Sequence, residues 1–212
     1  MITLHTWTTP NGRKISIMLE ELGLPYEIKT VNIGKNEQFS PEFLSISPNN
    51  KIPAIVDDEA QGGPLSIFES GAILTYLAEK SGRFLAASGP ERYQALEWLH
   101  WQIGGYGPML GQLGFFGVRS SEKAPLAIQR FTEESERLLG VMEKRLAVSR
   151  YLAGDNYSIA DMATYPWTIA ASTFLKDILG ESLASKPGIQ RWLKEIGERP
   201  AVQRGMQIPK LA

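Results

Sequence analysis

The sequence predicts an α/β domain followed by an all-helical domain. Three observations carry this prediction. Up to Ser81, strand-like and helix-like stretches alternate. A small, polar stretch, Ser81–Glu91, then interrupts the pattern. Beyond it no strand alternation survives, while apolar stripes at helical spacing persist. The 212 residues are comfortable for two small domains. The expected division is residues 1–81, a linker at 82–89 and a helical domain over 90–212.

The elements follow in order. Ile2–Trp7 carries β-branched and aromatic residues with a polar turn after it, and reads as a strand. Gly12–Leu24 places Ile15, Met18, Leu19 and Leu22 on one helical face, with Gly23 suited to its C-terminus. Tyr26–Ile33 alternates as a second strand and closes a βαβ unit. A short helix is expected over Pro41–Ile46, a strand over Ala54–Val56 and its hairpin partner over Pro64–Phe68. Glu69–Gly82 has Ile73, Leu74, Leu77 and Ala78 on one side, giving the order β-α-β-α-β-β-α. In the second half, Ile128, Phe131, Ser135, Leu138, Leu139, Met142 and Leu146 form a helical stripe. "YSIADMATYPW" opens a further helix, with Ser158 as N-cap, Asp161 three residues on, and Tyr157 and Met162 at the staple positions. The glycine-rich "GGYGPMLGQ" lacks the strand and lysine of a phosphate loop and reads as a kinked or tightly packed part of a helix. Trp98, Trp101, Phe115 and Phe116 are expected in the core, some of them lining an apolar pocket.

Composition excludes several classes. Lys plus Arg (22) nearly balance Asp plus Glu (23), so there is no electrostatic footprint for nucleic acid. The start "MITLHTW" has neither the basic segment nor the apolar core of a secretory signal. The apolar run Ala163–Leu175 is too short for a bilayer and contains Pro166, so no membrane partner is expected. With no cysteine, disulfides, thiolate metal sites and cysteine nucleophiles are all absent, and a reducing cytoplasm is the expected compartment. His5 and His100 cannot make a histidine-rich metal centre alone and are expected to be buried or half-buried polar residues.

Four stretches could carry chemistry. In "NKIPA", Ile52–Pro53 reads as an ordinary trans proline at a loop end, cis bonds being roughly 5–6% of such bonds. A cis peptide there would instead leave the backbone of Ile52 facing outward, able to pair with a short peptide. In "FESGA", Glu69 and Ser70 sit where a strand becomes a helix. Free N–H groups and the dipole favour an anion there, Ser70 adds a hydroxyl, and Glu69 can accept from an ammonium group. The pair suits a carboxylate and an ammonium on one carbon; it also suits a plain helix cap. Lys51 could hold a second carboxylate, or stand in solvent as most lysines do.

In "TTPNG", Thr9 and Asn11 offer donors at a helix start; an asparagine-capped turn is the other reading. Lowering a thiol from a pKa of about 9 to about 7 takes roughly 2.7 kcal/mol. One charge-assisted hydrogen bond supplies ~1.5–3 kcal/mol and a helix N-terminus ~0.3–1 kcal/mol. Neutral donors therefore suffice.

Taken as a set, these motifs resemble the glutathione S-transferases: "KIPA" before the third strand and "ESGAI" opening the third helix look like their thioredoxin-like half, and "YSIADMATYPW" like the capping segment of their helical half. "TPNGRKI", "QFSPEFLSISPNNKIPAI" and "FESGAILTYLAEK" are similar to the bacterial Nu class, disulfide-bond oxidoreductases that use glutathione. The resemblance covers essentially the whole chain.

It implies roles for individual residues. The Ile52 backbone beside cis-Pro53 would pair with the cysteinyl unit, and Glu69 and Ser70 would hold the γ-glutamyl amine and carboxylate. Lys51 and Gln38 would serve the remaining carboxylate or backbone, Thr9 and Asn11 would face the sulfur, and Arg130 would reach glutathione from the neighbouring subunit of a homodimer.

The chain also departs from the wider family. No tyrosine or cysteine stands near the first helix start, and Ser16 lies more than one turn in. The expected activity is therefore reduction of small disulfides, with organic hydroperoxides as further candidates. Two glutathiones, reduced or oxidised, act as the redox couple, and no metal is implied. Two alternatives stand beside it: a general transferase conjugating apolar electrophiles, and a non-catalytic module that binds a protein partner.

Overall fold

Short β-branched strands and the helices between them build the first part of the chain. The computed structural model describes residues 1–210. Strands β1 (Ile2–Thr6), β2 (Tyr26–Thr30), β3 (Ala54–Asp57) and β4 (Leu65–Phe68) form one sheet in the order β2-β1-β3-β4. β2 lies parallel to β1, while β3 and β4 are antiparallel to their neighbours. Helices α1 (Pro10–Leu22), α2 (Pro41–Leu44) and α3 (Ser70–Ser81) complete the alternation. α1 and α3 pack on each other and bury Ile15, Met18, Leu19, Ile73, Leu74 and Leu77. Val31, Phe43 and Ala54 form a further cluster that also receives Ile46 and Ile52.

The helical part contains α4 (Pro90–Trp101), α5 (Gly107–Leu113), α6 (Pro125–Leu146), α7 (Ile159–Thr173), α8 (Lys176–Ala184) and α9 (Pro187–Gly197). A last short helix, α10, spans Pro200–Gly205. Contacts among the described residues divide the molecule into two units: Met1–Arg83 with residues 199–210, and Phe84–Glu198.

α10 belongs to the first unit because it docks on α1. Ser16 Oγ donates to the Gly205 carbonyl at 2.7 Å, and Arg199 and Arg204 pair with Glu21 and Glu20. A Cβ on Gly205 would meet Ile17 Cα at 2.6 Å, so only glycine permits this approach.

In the second unit, Leu138, Leu139, Met142 and Leu146 are the buried part of the predicted α6 stripe, with Ile128 and Phe131 half-buried. Glu143 caps α9 through the N–H groups of Gly188 and Ile189. The glycine-rich segment joins α4 to α5 through a π-helical turn, Gln102–Tyr106. Tight packing explains Gly107, where a Cβ would stand 2.5 Å from Gln102 Nε2 and 3.2 Å from Trp167 Nε1, but not Gly104, which faces open space.

Several expectations are corrected. α1 starts at Pro10, because Thr9 rather than Asn11 is its cap. β2 ends at Thr30, since Asn32 begins a 3₁₀ turn by accepting from Gly34 N. α2 stops at Leu44. Of the four aromatics expected in the core, Phe115 is exposed and Trp98, Trp101 and Phe116 are half-buried. They stack on their neighbours instead, Trp101 on Tyr106 and Phe116 on Phe131. His5 is buried against the Phe43 ring, but His100 is exposed and its Nδ1 meets the Leu96 carbonyl within its own helix. Among the described residues no helix is long and apolar enough to cross a membrane.

Candidate functional site at one end of the mixed sheet

Sheet register gathers segments that are far apart in sequence. His5 of β1 faces Ala54 of β3, and Ala54 also faces Phe68 of β4. The end of β1, the start of β3 and the end of β4 therefore lie side by side. The residues just beyond them are Trp7–Asn11, Ile52–Pro53 and Glu69–Ser70. β2 ends at the same side, where Val31 N donates to the Thr6 carbonyl, and leads into the turn that carries Gln38.

The first of these segments is the start of α1. Thr9 has an extended backbone, and its Oγ1 accepts from Gly12 N at 3.2 Å. Pro10 follows at the first helical position, where a missing N–H costs nothing. The turn is pressed against the end of β1: a Cβ on Gly12 would sit 2.3 Å from Thr6 Oγ1 and 2.5 Å from the Trp7 carbonyl. Because the Thr9 oxygen is the acceptor of the cap, its own proton is left to donate elsewhere. Ser16, by contrast, is fully buried and bonded to Gly205.

The second segment is the loop before β3. Ser47 Oγ donates to the Lys51 carbonyl at 2.9 Å, and Asn50 adopts a positive φ of 49°. The Ile52–Pro53 peptide is cis. The Ile52 side chain packs on Val31, Phe43 and Ala54, which anchors the residue. Among the described residues its backbone groups make no hydrogen bond. An anchored strand-like segment with open N–H and C=O groups is what peptide pairing requires. Lys51 is exposed. Gln38 is half-buried, and its Oε1 is buried with no hydrogen-bond partner among the described residues.

The third segment is the start of α3. Glu69 holds a φ of +72°, an uncommon conformation for a residue with a side chain. It makes no side-chain cap bond, so the first N–H groups of α3 are not closed by a side chain. Ser70 is buried at the first helical position. An exposed carboxylate beside a buried hydroxyl and an uncapped helix start can hold an ammonium and a carboxylate together.

One residue of this end escaped the reading of spacing. Lys14 of α1 is fully buried, and its Nζ donates to Ser70 Oγ at 3.3 Å. Burial pushes its ammonium down to about 7, and the Glu69 carboxylate pulls it partly back up. The available signal was a lysine four residues before Met18, on the apolar face of the helix.

Arg130 is exposed on α6, in the second unit. Among the described residues no three His, Cys, Asp or Glu side chains are grouped to hold a metal.

A four-stranded mixed sheet with a cis-proline before β3, joined to a helical unit whose α7 starts in a capping box, defines a class: a thioredoxin-like domain plus helical domain of the glutathione S-transferase kind. The family model for the glutathione S-transferase N-terminal domain matches residues 1–79, and that for the C-terminal domain matches residues 108–200. The chain belongs to the glutathione S-transferase family.

Among its relatives, the disulfide-bond oxidoreductase YfcG of Escherichia coli is 50% identical over 208 residues, covering 97% of this chain and 94% of the relative. The disulfide-bond oxidoreductase YghU of the same organism is 43% identical over 219 residues, 96% of this chain and 73% of the relative. Two solved structures are close in shape. A glutathione transferase from Burkholderia graminis, with two glutathione molecules per subunit, superposes with a TM-score of 0.94 at 47% identity, covering 100% of this chain and 89% of its own. One from Pseudomonas putida, with one glutathione disulfide per subunit, gives 0.93 at 46% identity, covering 98% of this chain and 91% of its own.

Proposed function

We propose that this protein is a glutathione-dependent disulfide-bond oxidoreductase. The observation that carries the chemistry is the start of α1. In a chain without cysteine, Thr9 spends its oxygen on the helix cap and keeps its proton, with Asn11 in the same turn. Such a turn cannot supply a nucleophile, but it can steady one that belongs to a ligand. The relatives named as disulfide-bond oxidoreductases and the neighbours that hold glutathione or its disulfide support the same reading.

In this reading Glu69 accepts from the γ-glutamyl ammonium, and Ser70 with the α3 start holds its carboxylate. The open backbone of Ile52, turned outward by Pro53, pairs with the cysteinyl unit. Gln38 and Lys51 serve the glycyl end. Thr9 and Asn11 then donate to the glutathione sulfur and favour its thiolate. The thiolate attacks one sulfur of a small disulfide, forms a mixed disulfide and expels the other half as a thiolate. A second glutathione thiolate attacks the glutathione sulfur of that mixed disulfide. The second substrate thiol leaves, and glutathione disulfide is the product. The two thiols released carry the protons given up by the two glutathiones.

The same held thiolate suits an organic hydroperoxide or an apolar electrophile as a further substrate. A homodimer in which Arg130 serves the neighbouring subunit's site, and a cytoplasmic location in keeping with the absence of cysteine, complete the proposal.

The test is Asn11→Ala with glutathione and a model disulfide. Turnover is expected to fall ten-fold or more, about 1.4 kcal/mol of barrier, while binding of glutathione disulfide changes less. Unchanged turnover removes Asn11 from the mechanism. Parallel assays with cumene hydroperoxide and a chlorinated aromatic dye sort the second substrates. A fast dye reaction without disulfide reduction would make the protein a conjugating transferase instead.

A further inference from the structure

Lysine is almost never fully buried without a reason, because desolvating an ammonium is costly. Lys14 is 1% exposed. It rises from α1, and its Nζ lies 3.3 Å from the hydroxyl oxygen of Ser70. Ser70 is itself buried and is the first residue of α3. The ammonium of Lys14 has only protons to give, so in this contact the Ser70 oxygen is the acceptor. The hydroxyl proton of Ser70 is thereby turned away from Lys14.

α10 also packs on α1, but its Arg199 and Arg204 are paired with Glu21 and Glu20. β1 presents Thr6 to the start of α1, whereas its His5 lies tilted against the Phe43 ring. The charged group that acts on Lys14 is Glu69, one residue before Ser70. Glu69 is exposed and is the residue available to a ligand's ammonium. Once that ammonium neutralises Glu69, the buried lysine faces a ligand carboxylate across a single hydroxyl.

We propose that Lys14 is a positioning residue of the γ-glutamyl site: it orients the Ser70 hydroxyl toward the ligand's α-carboxylate and places a cation behind it, so that the carboxylate is selected rather than merely tolerated. The proposal rests on reading the α3 start as that site.

The experiment measures calorimetric dissociation constants of glutathione and of 4-aminobutanoyl-cysteinylglycine, the same peptide without its α-carboxylate. The wild-type protein and Lys14→Met are compared, with circular dichroism as the check on folding. Lys14→Met is expected to weaken glutathione at least ten-fold and the analogue less than three-fold. The preference for the carboxylate should then nearly vanish. Equal weakening of both ligands, or no weakening of either, would overturn the role. If Lys14→Met does not fold, Lys14→Gln is read by the same ratio. Should the wild-type protein bind neither glutathione nor its disulfide, the underlying glutathione reading fails before Lys14 is tested. The two failures are thus distinct.

Discussion

Two helix starts in this molecule use the same residue types for opposite ends. At α7, Ser158 caps and Asp161 answers from the first turn. Asp161 is fully buried and takes four hydrogen bonds, from Leu152 N, Ser158 N, Ser158 Oγ and Trp192 Nε1. Burial pushes its carboxyl up, and each of those donors pulls it back down. At α3, Glu69 and Ser70 bring an acid and a serine to the same kind of place. There the acid is exposed, makes no cap and is held at positive φ. A structural helix start spends its polar groups inside the fold. The α3 start leaves its acid outside the cap at a strained φ, which is what the proposed ligand clamp requires.

This contrast can be broken by substitution. Asp161→Ala strands the buried donors, each worth roughly 1–3 kcal/mol. Stability in urea is expected to drop by at least ~3 kcal/mol; a loss below about 1 kcal/mol would mean that the box is ornamental. Glu69→Gln should leave the urea midpoint in place and weaken glutathione by about ten-fold, since a hydrogen bond to a charged group is worth ~1.5–3 kcal/mol. Equal dissociation constants would contradict a clamp at α3. The smallest effect sharpens the comparison most. Glu69→Gly releases the positive φ and should stabilise the fold by about 1 kcal/mol while glutathione binding falls. If it destabilises instead, Glu69 belongs to the frame and the two helix starts are alike.

Much of the first unit was legible because its signals are local. The helical face of Ile15, Met18 and Leu19, the αL glycines Gly23 and Gly82, and the hairpin after "QGG" each follow from residues within a few positions of one another. Boundaries were less legible. Thr9 and Asn11 can both cap a helix, and the choice fell to Thr9 because Gly12 must press against Thr6 and Trp7. The aromatics of the second unit were misjudged because hydrophobicity says nothing of which side is covered. Trp98, Trp101 and Phe116 are only partly buried and Phe115 is exposed, while Trp98 meets Trp101, and Phe115 meets Phe116, edge to face.

The sequence by itself determined the kinds and order of elements, the absence of any cysteine chemistry and the box at α7. Caps act within one turn and periodicity within one element, so both can be read without knowing what packs against them. Only the tertiary structure decided that residues 9–11, 52–53 and 69–70 share one end of a sheet, since antiparallel register sets His5 opposite Ala54 and Ala54 opposite Phe68. It alone decided that Lys14 lies buried beneath Ser70, because a lysine's surroundings are set by the helix packed over it, not by its neighbours in sequence.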